Sequence, residues 1–205
     1  GAGLASPFSW ARFAAAFVAF ALGMGVGAHA LDELRGRPLR TAIPSAVLVA
    51  VVVAGLLGAL VLGVFGVIRV GWTLIPFMVA GPVLVIAYNA ELFGGLMHTD
   101  FGFALAWGAF PVLTAYVAQT GTLALAPVLA AAGAYALSAA QRQLSTPARN
   151  IRRRAHRVEG TIIYADGRTE PVTADTLLQP LERALRAASW AIILLAAALA
   201  VARLT

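Results

Sequence analysis

The chain has 205 residues, 60% of them hydrophobic and only 12% charged, against roughly 25% charged in soluble domains. That balance excludes a soluble globular protein, because about six apolar helices would need more interior than a chain of this size encloses. The absence of cysteine excludes disulfides, thiolate metal sites and a cysteine nucleophile. The net charge of +6, carried by arginine with no lysine, falls where membrane topology rather than nucleic-acid binding would put it.

The opening Gly1-Ala2-Gly3-Leu4-Ala5-Ser6-Pro7-Phe8 has neither an initiator Met nor a basic n-region, so it is not a signal peptide. It reads as a loop between two membrane helices, with a further helix expected before it. At windows of roughly 20 residues the chain then divides into six spans. They cover about 10–31, 43–67, 72–93, 101–118, 123–140 and 187–202. The fold class is therefore all-α, a polytopic helical bundle of six spans, or seven with the expected N-terminal one. Gly23 and Gly27 give the first span a small-xxx-small spacing for close helix contact. Pro44 stands near the first turn of the second span, where a missing N–H costs little. Pro76 and Pro82 predict a kink in the third.

The residues divide into a bundle (1–140), a polar loop (141–186) and a C-terminal transmembrane helix (187–205). The polar loop begins with the basic run Arg149, Arg152, Arg153, Arg154 and Arg157, expected as a helix extension near lipid headgroups. In 160–172, two strand-like runs flank Asp166-Gly167, a hairpin signal. Thr173-Ala174-Asp175-Thr176 marks a helix start. With six spans, 12 of the 15 arginines fall on one side, leaving only Arg12, Arg69 and Arg203 on the other. The positive-inside rule makes the arginine-rich side, with the 141–186 loop, cytoplasmic in a prokaryotic inner membrane. Every Asp and Glu lies on that side too.

Alternation brings His29, Asp32 and Glu33 to the same depth as Asn89, Glu91, His98, Thr99 and Asp100. His29 and Asp32, three apart, share a helix face. Asn89 and Glu91, two apart, point in different directions unless the helix loosens between them. Carboxylates with Asn and nearby arginines are what a Mg²⁺–diphosphate site requires: hard oxygen ligands for the ion and guanidinium forks for the phosphates. The same residues equally suit helix ends that reach water and lock neighbouring helices. For His29 and His98 a hydrogen-bonded structural role competes with catalysis, and Trp10, Trp72, Trp107, Trp190, Tyr88, Tyr116 and Tyr135 read as belt or packing residues.

Ala28-His29-Ala30-Leu31-Asp32-Glu33-Leu34-Arg35-Gly36-Arg37-Pro38-Leu39, closing an apolar helix, resembles the first Asp-rich region of the UbiA superfamily of membrane prenyltransferases. Tyr88-Asn89-Ala90-Glu91-Leu92-Phe93, His98-Thr99-Asp100 and Ala106-Trp107-Gly108-Ala109-Phe110-Pro111 look like a divergent branch of it. The resemblance covers about 10–140. It implies transfer of a prenyl group from an isoprenyl diphosphate to a lipophilic acceptor, with Mg²⁺ as cofactor. Asp32, Glu91 and Asp100 would carry the ion and, with His98, the catalytic role. Asn89 would assist, and Arg35, Arg37 and Arg142 would hold substrate. The chain departs from the family pattern in several places. His29 stands near the first motif's Asn, Arg35 or Gly36 stands where its second Asp belongs, and 138–147 has no carboxylate.

Two functional readings follow. One is a UbiA-like prenyltransferase; the other is a non-catalytic UbiA-like subunit or lipid-binding scaffold of a larger membrane complex, with the hairpin as its docking surface. Membrane lipids are partners in both and nucleic acid in neither. A transporter is a third, weaker reading, since no carboxylate lies at midplane and no inverted repeat is visible.

Overall fold

A computed structural model describes residues 1–202; Arg203 of the topology count lies outside the described residues. Five helices among the described residues are long and apolar enough to cross a membrane. They are α1 (Trp10–Gly36), α2 (Ser45–Val70), α3 (Trp72–Asn89, opening on a 3₁₀ turn), α4 (Asp100–Thr120) and, last in the chain, α6 (Ala174–Val201). Between α4 and α6 come α5 (Leu125–Arg154) and an antiparallel hairpin, β1 (Gly160–Ile163) with β2 (Thr169–Val172). The expected fifth span is thus the apolar start of a longer helix. Its stretch 125–140 is Ala-rich and only about 24 Å long at the α-helical rise, against a hydrocarbon core of ~30 Å. The basic run extends this helix to Arg154, as its composition predicts.

Contacts divide the chain into two compact units, Gly1–Ser138 and the residues from Ala139 onward. In the first, the bundle is set by small residues at crossings. α1 is not uniformly α-helical: Ala21–Gly27 forms a π turn in which the Ala28 N–H donates to the Gly23 carbonyl, five residues back. Gly23, Gly25 and Gly27 resist that widening little, having no side chains to crowd it. The turn pushes the Leu22 carbonyl towards α2 at Gly55, where an added Cβ would sit 2.7 Å from that oxygen. Only glycine allows this approach. Below the crossing, Ala30, Leu48 and Val52 form a buried cluster joined by Leu31, Leu34, Val51 and Leu56. In lipid such packing, rather than escape from water, holds helices together.

A second π turn, Ala104–Ala109, lies in α4, where the Phe110 N–H donates to the Leu105 carbonyl. Pro111, without an N–H of its own, follows in the next turn. Pro76 occupies the first turn of the α-helical part of α3 and Pro82 its interior. That helix stops at Asn89, earlier than expected, because Glu91 (φ 47°), Phe93 (φ 56°), Gly94 and Gly95 all take positive φ. The helix does loosen between Asn89 and Glu91, which answers why two residues so spaced lie at one end of the bundle.

In the second unit, Gly167 (φ 82°) supplies the hairpin turn and leaves Ile163 exposed on β1. Thr173 and Thr176 then cap each other's backbone N–H, and α6 runs unbroken from this capping box.

Candidate functional site

The polar end of the first unit is built from the last turns of α1, the end of α3 and the loop into α4. Glu33 is 3% exposed, yet its charge is satisfied. One carboxylate oxygen accepts from the Leu39 N–H (3.0 Å), the other from the Thr41 N–H and hydroxyl (both 2.8 Å). Three donors on one buried carboxylate fold the 37–41 loop back over the helix end. Arg37 (φ 45°) donates to the carbonyls of Thr41 (3.0 Å) and Ile43 (2.8 Å) and to the Ser45 hydroxyl (3.1 Å). Its fork therefore braces the loop between α1 and α2.

Arg35 donates to the Ala90 carbonyl and forms an ion pair with Glu91 at 3.5 Å. The side chains are 51% and 46% exposed, so the pair ties α1 to the end of α3 in a partly solvated setting. Asn89 is buried, with its amide donating to the Val85 carbonyl at 2.7 Å, one turn back. Asp100 opens α4 beside its cap Thr99, whose hydroxyl accepts from the Gly102 N–H at 3.0 Å. A carboxylate there favours the helix N-terminus. Arg142 lies on α5 in the second unit.

Asp32 is half-buried, in the neighbourhood of His29 and His98 but with neither a hydrogen bond nor an ion pair to them among the described residues. The His98 Nδ1 lies 3.1 Å from the Tyr88 carbonyl oxygen, which can only accept. Nδ1 therefore carries the proton of that hydrogen bond. The imidazole stacks on the Tyr88 ring (4.7 Å), Tyr88 packs on Trp107 (4.5 Å), and Trp107 lies parallel to Phe103 (5.6 Å, 4°). Of the expected site residues, Arg35 is brought to Glu91, while Asp32 and His98 share this end of the first unit without a direct contact. Among the described residues no three His, Asp or Glu side chains form a group suited to a metal ion. Asp32, Glu91 and Asp100 do not make one, and Glu91 is engaged by Arg35.

Trp107 has a second role. It lines the inner end of a half-open apolar chamber of about 600 Å³ between α1, α2, α3 and α4. Ala16, Ala19 and Gly23 on α1 and Ala59, Gly63 and Gly66 on α2 line it, with Phe110 on α4 among the larger lining side chains. The small-residue pattern of α1 thus does two things: it allows contact at Gly27 and leaves space further up. The lining runs from Ser9 to Met24 on α1, about 22 Å along the helix.

The outer end is polar, a feature that hydropathy alone does not reveal. Gln119, 2% exposed, accepts from the Ser9 N–H (2.9 Å) and donates to the Ser9 carbonyl (3.0 Å). Arg12 donates to the Gln119 carbonyl (2.5 Å) and the Arg69 carbonyl (3.3 Å), supplying a cation to the C-terminal ends of α4 and α2. The available signal was a lone Arg, Gln and Ser at helix ends that alternation puts on one side.

No family model, curated protein or solved structure matches this chain.

Proposed function

We propose that this protein is a membrane-embedded binding protein for a long apolar chain, prenyl or acyl, held in the chamber between α1 and α4. The observation that carries the reading is the chamber itself: about 600 Å³, lined by small and aromatic side chains, within the range of ligand sites. The engagement of Glu33, Arg35, Arg37 and Glu91 in loop and helix-end contacts supports a structural role for the polar end. The resemblance to the UbiA superfamily agrees with a chain-binding bundle. The concentration of arginines within the 141–186 segment itself favours a cytoplasmic place for it in a prokaryotic cell. The test is binding of geranylgeraniol and hexadecanol to the full chain in phosphatidylcholine nanodiscs. Both are expected to bind above the empty-nanodisc background, and Ala16→Phe, which fills the chamber, to weaken them at least about tenfold. No binding above background by the unaltered chain rejects the reading.

A prenyltransferase remains the second reading, favoured by one contact: Trp107 joins the chamber to Tyr88 and His98 beside Asp32. A prenyl chain in the chamber would set its diphosphate at that end, near Asp32, with Arg35 or Arg37 as anion partners. It predicts release of diphosphate from an isoprenyl diphosphate, lost in Asp32→Asn. Absence of release with every chain length would falsify it.

A further inference from the structure

The outer end of the chamber differs from the rest of its lining. Ser9, Arg12 and Arg69 stand there, while the walls below are small, aliphatic or aromatic. Arg12 is half-buried and fixed by two carbonyls, which use two of the five N–H donors of its guanidinium. Among the described residues the Arg69 guanidinium has neither a hydrogen bond nor an ion pair; only its backbone carbonyl is engaged, by Arg12. The carboxylates of the first unit are Asp32, Glu33, Glu91 and Asp100. All lie at the opposite end of the bundle, about 30 Å away along α1. Two cations therefore flank the mouth of an apolar cavity with no anion of their own unit to balance them. Arg69 is exposed and Arg12 half-buried, so an arriving anion can reach both guanidinium groups and pair with them.

We propose that the Arg12–Arg69 end is a head-group site for a single-chain anionic amphiphile, with a carboxylate or phosphate head on these arginines and its chain down the chamber. The inference rests on the chamber binding a chain, and it puts the head at the end away from Asp32. Arg69 makes the main discriminating contact, and Arg12, already positioned, adds a second fork.

The test uses the full chain in phosphatidylcholine nanodiscs, with empty nanodiscs measured alongside, and four probes: hexadecyl phosphate, palmitate, hexadecanol and inorganic phosphate. Both anionic amphiphiles are expected to bind about tenfold or more tightly than hexadecanol. Arg69→Gln should abolish that preference while leaving hexadecanol binding unchanged, and Arg69→Lys should keep most of it. Equal affinity for the charged and neutral chains, or a preference that survives Arg69→Gln, overturns the proposal. So does inorganic phosphate binding as tightly as hexadecyl phosphate, which would assign the arginines to a free anion. Affinities equal to those of empty nanodiscs would assign the amphiphiles to the bilayer. If hexadecanol also fails to bind, the chamber reading fails; if it binds without a charge preference, only the head-group site does.

Discussion

The side-chain amide of Gln119 pairs with both backbone polar groups of Ser9, at 2.9 and 3.0 Å, across 110 positions of sequence. It closes the start of α1 onto the end of α4 as one strand pairs with another. Gln119→Leu leaves a buried N–H and a carbonyl without partners, for a loss of about 2–4 kcal/mol. Thermal unfolding in detergent is the measurement. Gln119→Glu keeps the acceptor but brings a charge to a buried position, and should be no more stable than Gln119→Leu. A midpoint unchanged in both variants rejects this role.

Gly55 makes a second point of no tolerance. A Cβ there meets the Leu22 carbonyl at 2.7 Å, a backbone atom that cannot swing aside. Gly55→Ala should force α1 and α2 apart, at about 1–3 kcal/mol. Gly25→Ala, whose Cβ meets nothing within 4 Å, is the control and should be nearly neutral. Equal stability of the two variants counts against the crossing.

The Arg35–Glu91 pair is partly solvated, and exposed pairs are worth about 1 kcal/mol or less. A double-mutant cycle with Arg35→Ala and Glu91→Ala should give a coupling in that range. Glu91→Gln should leave chain binding in the chamber intact. A large loss of binding in Glu91→Gln would move Glu91 from architecture to function.

The hairpin carries a pH dependence of known sign. The Arg168 backbone N–H and guanidinium both donate to the Asp166 carboxylate, at 3.1 and 2.6 Å, and hold it below the ordinary carboxylate range. Because the folded value lies below the unfolded one, the contribution is complete above the ordinary carboxylate range and disappears as pH falls through the depressed one. The amide resonance of Arg168 should report this transition, and Asp166→Asn should remove it. Tyr164 titrates in the other direction: donating to Glu170 at 2.6 Å holds its proton on and raises its value.

Helices and hairpin were legible because composition speaks to them directly. Apolar runs between arginine-bearing ends mark the spans, Asp166-Gly167 marks the turn, and Thr173 with Thr176 marks the start of α6. What escaped depends on distances between helices. A stripe of small residues predicts contact and predicts space equally well; only the path of the neighbouring helices decides that Gly27 packs at a crossing and Ala16 lines a chamber. The partner of Glu91 was equally hidden. A left-handed φ at Glu91 is a conformation the surroundings impose on a non-glycine residue, and that turn is what ends α3 beside Arg35. Gln119 was hidden for a different reason: nothing local shows that an amide at a helix end will find a peptide group at the far end of the bundle.

The π turn of Ala21–Gly27 sets the phase between the two halves of α1. A π turn holds one residue more than the α turn it replaces, so the segment acts as an angular spacer. Deleting Gly25 would let the turn relax to α geometry with the phase kept, whereas forcing α geometry on all seven residues would rotate everything beyond them by about 100° relative to Arg12. Asp32 would then leave His98 and Glu33 would leave its loop, although neither residue had been altered. The two ends of α1 are thus kept in register by a π turn that absorbs one extra residue in the middle of a membrane helix.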